Sequence, residues 1–265
     1  MFGTNPVRKQ DLRLDQPDVG TLDVHEIFPT IQGEGPFSGQ PCIFLRLWGC
    51  NLRCYFCDTD FETRRLKMDP HRIMESIERT AMIKVNTKLI VITGGEPLRQ
   101  NILPLCVLAA TMGWDIQIET AGTLWVPGLE ELIHQGRLTL VCSPKTGKVD
   151  DNVARWCTDW KYLVRKGQNN EIDGLPDYST QEEGKKLSLY RPTKDSDTIW
   201  LQPCEEYAVA KIPVATIGVS GTDQMVTSKA RNEGRSEENI IACGAIAMAH
   251  GYRVSLQMHK YLKLP

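Results

Sequence analysis

Short apolar runs recur along this chain, and the stretches between them carry helical spacing, a rhythm that points to an α/β architecture. "CIFLRLW", "KLIVIT", "DIQIET", "LTLVCS", "WKYLV" and "TIWLQP" have the length and content of strands. "DPHRIMESIERTAMIK" predicts a helix: Asp69 caps it, Pro70 takes the first helical position, and Ile73, Ile77 and Ala81 share one face. "NILPLCVLAATMG" closes on Gly113 and "PGLEELIHQG" on Gly136, while "SEENIIACGAIAMAHG" followed by "RVSLQM" supplies a last helix–strand unit. Strands that alternate with helices pair in parallel through right-handed crossovers. The expected fold is therefore α/β, an open or incomplete (β/α) barrel of parallel strands, with a doubly wound sheet as the alternative.

Three regions break the rhythm. Residues 1–20 read as an N-terminal extension, and residues 21–265 as a single domain with polar insertions at 165–197 and 218–237. One α/β domain accommodates 265 residues. With 31 basic against 33 acidic residues the chain lacks the field that would gather nucleic acid or a membrane surface. The opening "MFGTNPVRKQDLRLDQPDVG" has no apolar core of signal-peptide length, and no run approaches the roughly 18 apolar residues of a membrane span. A cytoplasmic protein is expected.

Nine cysteines, an odd number without an export signal, argue for reduced thiols. Cys42, Cys106, Cys142, Cys157, Cys204 and Cys243 stand singly, mostly in apolar runs, and read as small buried hydrophobes. The other three are crowded into "WGCNLRCYFCDTDF" as C-x3-C-x2-C. Cys50, Cys54 and Cys57 can ligate three irons of a [4Fe-4S] cubane and leave the fourth open to the amine and carboxylate of S-adenosylmethionine. The competing reading is zinc, although structural zinc normally takes four ligands in two pairs. "LIVITGGEPLRQN" favours the cluster. It sets Thr93, Gly94, Gly95, Glu96 and Pro97 after an apolar strand, where glycines admit a ligand close to the backbone and Glu96 can receive an ammonium group.

C-x3-C-x2-C followed by GGEP resembles the radical S-adenosylmethionine (radical SAM) superfamily. "EIFPTIQGEGPFSGQPCIFLRLWGCNLRCYFCDT", "QIETAGT", "VCSPK" and "LQMHKYLKLP" narrow the resemblance to the 7-carboxy-7-deazaguanine synthases, from about Val24 to Pro265. Those lyases contract the ring of 6-carboxy-5,6,7,8-tetrahydropterin, with loss of ammonia, on the way to queuosine and related deazapurines. The resemblance implies a [4Fe-4S] cluster on Cys50, Cys54 and Cys57 and a magnesium ion on Thr59. It implies S-adenosylmethionine against Phe56, Cys57, Asp58, Gly95, Glu96, Ser143, Pro144, Lys145 and Gln202. It gives the substrate Ile31, Gln32, Gly33, Glu34, Arg46, Thr93, His259 and the terminal carboxylate of Pro265. No catalytic side chain beyond the cluster and cofactor is assigned. A reductant such as a flavodoxin or ferredoxin and a homodimeric state are also implied.

The residues themselves leave alternatives. Arg46 reads equally as an ion-paired strand residue, and His259 as an ordinary terminal histidine. Glu26 and Glu119 are expected at strand ends facing the active mouth. His25, His71, His134 and His250 are expected to be structural or solvated. Phe56 stands where the family often has tryptophan, and Met258 where it has threonine. Two other functions share parts of the pattern. A glycyl-radical-enzyme activase shares the cysteine loop without needing "IQGEG" or "HKYLKLP", and a non-catalytic metal-binding protein leaves "GGEP" unexplained.

Overall fold

The computed structural model describes residues 20–213 and 225–265. Its strands are β1 (Leu22–Ile31), β2 (Pro41–Leu47), β3 (Leu66–Met68), β4 (Leu89–Gly94), β5 (Asp115–Thr120), β6 (Leu138–Cys142), β7 (Asp159–Val164), β8 (Thr198–Pro203), β9 (Tyr207–Pro213), β10 (Met225–Arg231) and β11 (Arg253–Val254). The helices are α1 (Pro70–Lys84), α2 (Leu103–Thr111), α3 (Leu129–His134), α4 (Asp151–Trp156), α5 (Glu233–His250) and α6 (Met258–Leu262). The main sheet runs β11-β8-β7-β6-β5-β4-β2-β1-β3. Neighbours from β2 to β11 are parallel, whereas β1 is antiparallel to both β2 and β3. With β3 and β11 left at opposite edges, the sheet stays open as an incomplete barrel.

Side chains alternate between the two faces of each strand, and here the two faces differ in chemistry. Ile43, Leu45 and Leu47 of β2, Ile90 and Ile92 of β4, Ile116 and Ile118 of β5, Leu138 and Leu140 of β6, and Trp160 and Tyr162 of β7 join one core with the helices. Helix α1 adds Ile73, Met74 and Ile77, all buried. Each contributes about 1.5–3 kcal/mol relative to an exposed position. Asp69 starts that helix as expected, its side chain accepting from the Arg72 N–H, with Pro70 in the first turn. On the opposite sheet face the lower positions are apolar: Cys42, Leu89 and Val91 cluster with Phe37 and Phe44. The upper positions of that face are polar, namely Arg46, Thr93, Gln117, Glu119, Lys161 and Gln202. All six single cysteines are buried, as free hydrophobes are expected to be.

The structure differs from the sequence reading at several elements. The expected strand 253–258 is paired only through Val254: the Ser255 N–H to the Leu201 carbonyl at 2.8 Å is the last ladder bond, and the Ser255 hydroxyl accepts from the Gly35 N–H at 3.2 Å. Met258 then opens a helix instead. The last long helix starts three residues early, at Glu233, where the Asn232 side chain caps it. The expected insertion 218–237 contains strand β10, paired antiparallel with β9, and the first turns of α5; residues 218–224 lie outside the described residues, as do residues 1–19 of the expected extension. The expected insertion 165–197 crosses from β7 to β8 without a helix, its one bridge joining Asn169 to Pro176.

Candidate active site

A cavity of about 840 Å³ opens where the polar upper positions of the inner sheet face meet the loop after β2. That loop carries the three grouped thiols, and Cys50, Cys54 and Cys57 all line the cavity with Phe56, Asp58 and Thr59. The turn after β4 lies directly against it. The Glu96 N–H donates to the Gly49 carbonyl at 2.9 Å and the Gly95 N–H to the Leu47 carbonyl at 3.4 Å. A side chain at Gly95 would meet the Gly49 carbonyl oxygen at 2.1 Å and the Cys50 Cβ at 2.7 Å, so glycine is required for this approach. Two motifs about forty residues apart in sequence thus share one backbone junction.

Glu96 stands behind the wall and not in it. Its carboxylate is fully buried and accepts from the Leu98 N–H at 3.1 Å, the Thr120 hydroxyl at 2.7 Å and the Ala121 N–H at 2.7 Å. Burial lifts its carboxyl above the usual range against these bonds. The two residues that it anchors, Thr120 and Ala121, do line the cavity, together with Thr93, Gly95, Ser143, Lys145 and Gln202. Pro144, between Ser143 and Lys145, is buried and is not part of the lining. Lys145 donates to the Ser143 carbonyl at 2.9 Å and to its hydroxyl at 2.5 Å, and burial pulls its ammonium below the usual lysine range.

The sequence reading missed the residue at the centre of the polar wall, Lys161. It projects from β7 into the cavity and pairs with the Glu34 carboxylate. Burial opposes its charge, but Glu34 and Glu119 outweigh burial and hold the ammonium above its usual range. Glu34, despite burial, is held below the carboxylate range by Lys161, whereas burial prevails at Glu119 and lifts it. Glu119 accepts from Gln32 at 3.0 Å, Gln117 at 3.1 Å and Thr93 at 3.4 Å. A lysine inside the otherwise apolar run "WKYLV" was the available signal.

Other expected substrate residues surround this cluster without lining the cavity. Gln32 and Gly33 are buried, and a side chain at Gly33 would strike the Met258 nitrogen at 2.6 Å and His259 Nδ1 at 3.1 Å. Burial, opposed by Glu34, lowers the His259 pKa. Ile31 ends β1, and the neighbouring Thr30 hydroxyl donates to the Pro265 oxygen at 2.9 Å. Arg46 pairs with Glu26 at 2.6 Å across β1 and β2, leaving its Nε buried without a partner. Glu26 sits mid-strand and not at a strand end, because β1 runs on to Ile31; Glu119 is near the end of β5 as expected.

A fit to the implied cofactors can be tested on these residues. The three thiols share a cavity of ligand size, glycine backbone borders it, and Asn51 and Gln202, two of its lining residues, each keep a buried oxygen without a hydrogen-bond partner. Burial pushes the Cys50 thiol up to about 12 and the Cys57 thiol up to about 11. Among the described residues no three His, Cys, Asp or Glu side chains are grouped to hold a single metal ion. Cysteine loop, glycine turn and polar wall together fit a cluster with a small cofactor. At the expected magnesium position the Thr59 hydroxyl donates to Asp58 at 3.2 Å, and Lys260 bridges Asp58 at 3.5 Å to Glu205 at 2.5 Å.

Comparison with known proteins agrees with this arrangement. The model of the radical SAM superfamily matches residues 48–166, which run from the cysteine loop through β7. The 7-carboxy-7-deazaguanine synthase of Rhodospirillum rubrum is 37% identical over 265 residues, covering 100% of both chains. Its counterpart from Rickettsia prowazekii is 35% identical over 268 residues, covering 99% of this chain and 95% of its own. The crystal structure of QueE from Escherichia coli aligns with a TM-score of 0.62 at 22% identity, covering 94% of this chain and 99% of that one, which speaks for the fold. No helix among the described residues is long and apolar enough to cross a membrane. The relatives distinguish the synthase reading from the activase and from the non-catalytic metal protein, and the chain belongs to the 7-carboxy-7-deazaguanine synthase family of radical SAM enzymes.

Proposed function

We propose that residues 21–265 act as one radical SAM domain that contracts 6-carboxy-5,6,7,8-tetrahydropterin to 7-carboxy-7-deazaguanine with release of ammonia. The observation that carries this reading is the shared cavity: cysteine loop, glycine turn and the Glu34–Lys161–Glu119 cluster face one space. Cys50, Cys54 and Cys57 hold the [4Fe-4S] cluster, and the turn at Gly94 and Gly95 admits the methionine end of S-adenosylmethionine. Phe56, Asp58, Ser143, Lys145 and Gln202 border the rest of that cofactor, with Glu96 and Pro144 shaping the wall from behind. When bound, cluster and cofactor supply the one-electron chemistry that starts the ring contraction.

The chain's own groups bind and orient the pterin. Lys161 keeps Glu34 ionised, so Glu34 accepts hydrogen bonds from the N–H groups of the pyrimidinone edge. Ile31, Gln32 and Gly33 place Glu34, and Thr93 holds Glu119 from the other side. Environments that push two carboxyls apart separate their roles. Glu119, lifted by burial, is held in the same polar wall by Gln32, Gln117 and Thr93 and faces the substrate space beside Lys161. Arg46, His259 and Pro265 close the substrate end behind Gly33. Thr59, with Asp58 beside it, would hold a Mg²⁺ ion, which would supply Lewis-acid polarisation of the substrate carboxylate.

An external reductant of the flavodoxin or ferredoxin type, a homodimeric assembly and a cytoplasmic location complete the proposal. Anaerobically reconstituted protein, given S-adenosylmethionine, reductant and the pterin acid, is expected to yield 7-carboxy-7-deazaguanine and ammonia in equal amounts. Cleavage of S-adenosylmethionine without the deazaguanine would overturn the substrate assignment, and zinc without iron would overturn the cluster.

A further inference from the structure

The crossing segment between β7 and β8 does more than connect two strands. At residues 180 and 181 it lies on the cysteine loop: the Tyr55 N–H donates to the Thr180 carbonyl at 3.1 Å, and the Arg53 N–H to Gln181 Oε1 at 2.7 Å. The second bond fixes the orientation of the Gln181 amide, because an oxygen must face the N–H of Arg53. Its nitrogen is then directed to Cys54 Sγ, 3.3 Å away, and to the Thr180 hydroxyl at 2.7 Å. That hydroxyl spends its own proton on the Lys145 carbonyl at 2.7 Å, so it can only accept from Gln181. Both amide hydrogens and the amide oxygen of Gln181 are thereby assigned, and one hydrogen belongs to the cysteine sulfur.

We infer that Gln181 is a positioning residue for the cluster, donating an N–H···S bond to the Cys54 ligand and raising the cluster's reduction potential. Here the Cys54 thiol stands in for the iron-bound thiolate. One-electron reduction adds negative charge that spreads onto the ligand sulfurs, so a donor fixed on one of them stabilises the reduced form more than the oxidised form. The effect favours delivery of the electron to the cluster from an external donor. The inference rests on the cluster assigned to Cys50, Cys54 and Cys57.

The test is a redox titration of anaerobically reconstituted full-length protein, followed by the absorption and paramagnetic signal of the cluster, in Gln181→Leu and Thr180→Val. Gln181→Leu removes the donor. Thr180→Val keeps it but releases the hydroxyl that aligns it. Both are expected to retain wild-type iron, with the equilibrium for reduction weakened about tenfold in Gln181→Leu, a fall of about 59 mV for one electron. The shift in Thr180→Val is expected to be smaller and of the same sign. Unshifted potentials in both variants, or loss of the cluster from both, would overturn the inference. Absence of iron from the wild-type protein would instead defeat the cluster assignment, so the two failures are distinguishable.

Discussion

The two walls of the cavity are held by different means. On the sheet side, Thr93, Glu119, Lys161 and Gln202 project from strands whose backbones are fixed by parallel ladders, and the heads of Glu119 and Lys161 are tied by buried charge. On the loop side, the thiol-bearing segment has no ladder and is seated by distant side chains, with Gln181 on Arg53 and Arg165 on the Tyr55 hydroxyl. Arg165 is itself gripped by Glu206 through two bonds of 2.6 and 2.7 Å. A wall made of strand ends keeps a fixed shape. A wall made of clamped loop can be changed at one contact without disturbing the sheet.

Substitution on the loop side at a ligand should have the largest effect on chemistry and little on folding. Cys54→Ala is expected to lose the cluster and all turnover while keeping the circular dichroism of the wild type, since Cys54 is absent from the packed core; full turnover would refute its role. On the sheet side the balance reverses. Lys161→Met strands Glu34 and Glu119 without their cation and should cost about 3–5 kcal/mol in denaturant unfolding, part of which Glu34→Gln added to it restores. The same variant should flatten the acid limb of stability. Glu34 is depressed in the folded chain, so its contribution is complete above its ordinary value of 4.5 and is lost as pH falls through the lower folded value. A wild-type melting temperature that falls no more steeply below that pH than the variant's would contradict this.

Arg165→Lys keeps the charge but not the fork on Glu206, at about 1–2 kcal/mol. Faster amide exchange should appear in the cysteine loop and not in β5 or β7; uniform acceleration would erase the contrast between the walls. The smallest effect is expected from Thr59→Ala, which should weaken the response of turnover to added Mg²⁺ by a few-fold. An unchanged Mg²⁺ titration would remove Thr59 from the metal site.

What the sequence made legible was local. Asp69 and Pro70 announce α1, the β-branched run before Thr93 announces β4, and the cysteine spacing marks the loop, because each depends on neighbours within a few residues. Strand β10 was hidden because "MVTSKAR" alternates weakly and has no buried-strand composition, and its partner β9 is the reason it is a strand at all. Lys161 was overlooked because a single lysine in a strand usually faces water, and only the neighbouring strands show that it faces Glu34. Gln181 was invisible for a different reason. It sits in a stretch polar throughout, 127 residues from the sulfur that it touches, and nothing local distinguishes it from the glutamates beside it.

That separation also orders events during synthesis. The cysteine loop emerges from the ribosome more than a hundred residues ahead of the glutamine and threonine that seat it, so a nascent chain carries its three thiols before Gln181 can reach Cys54. A chain stalled before Thr180 would therefore carry its cysteine loop without the contacts of Thr180 and Gln181 that seat it.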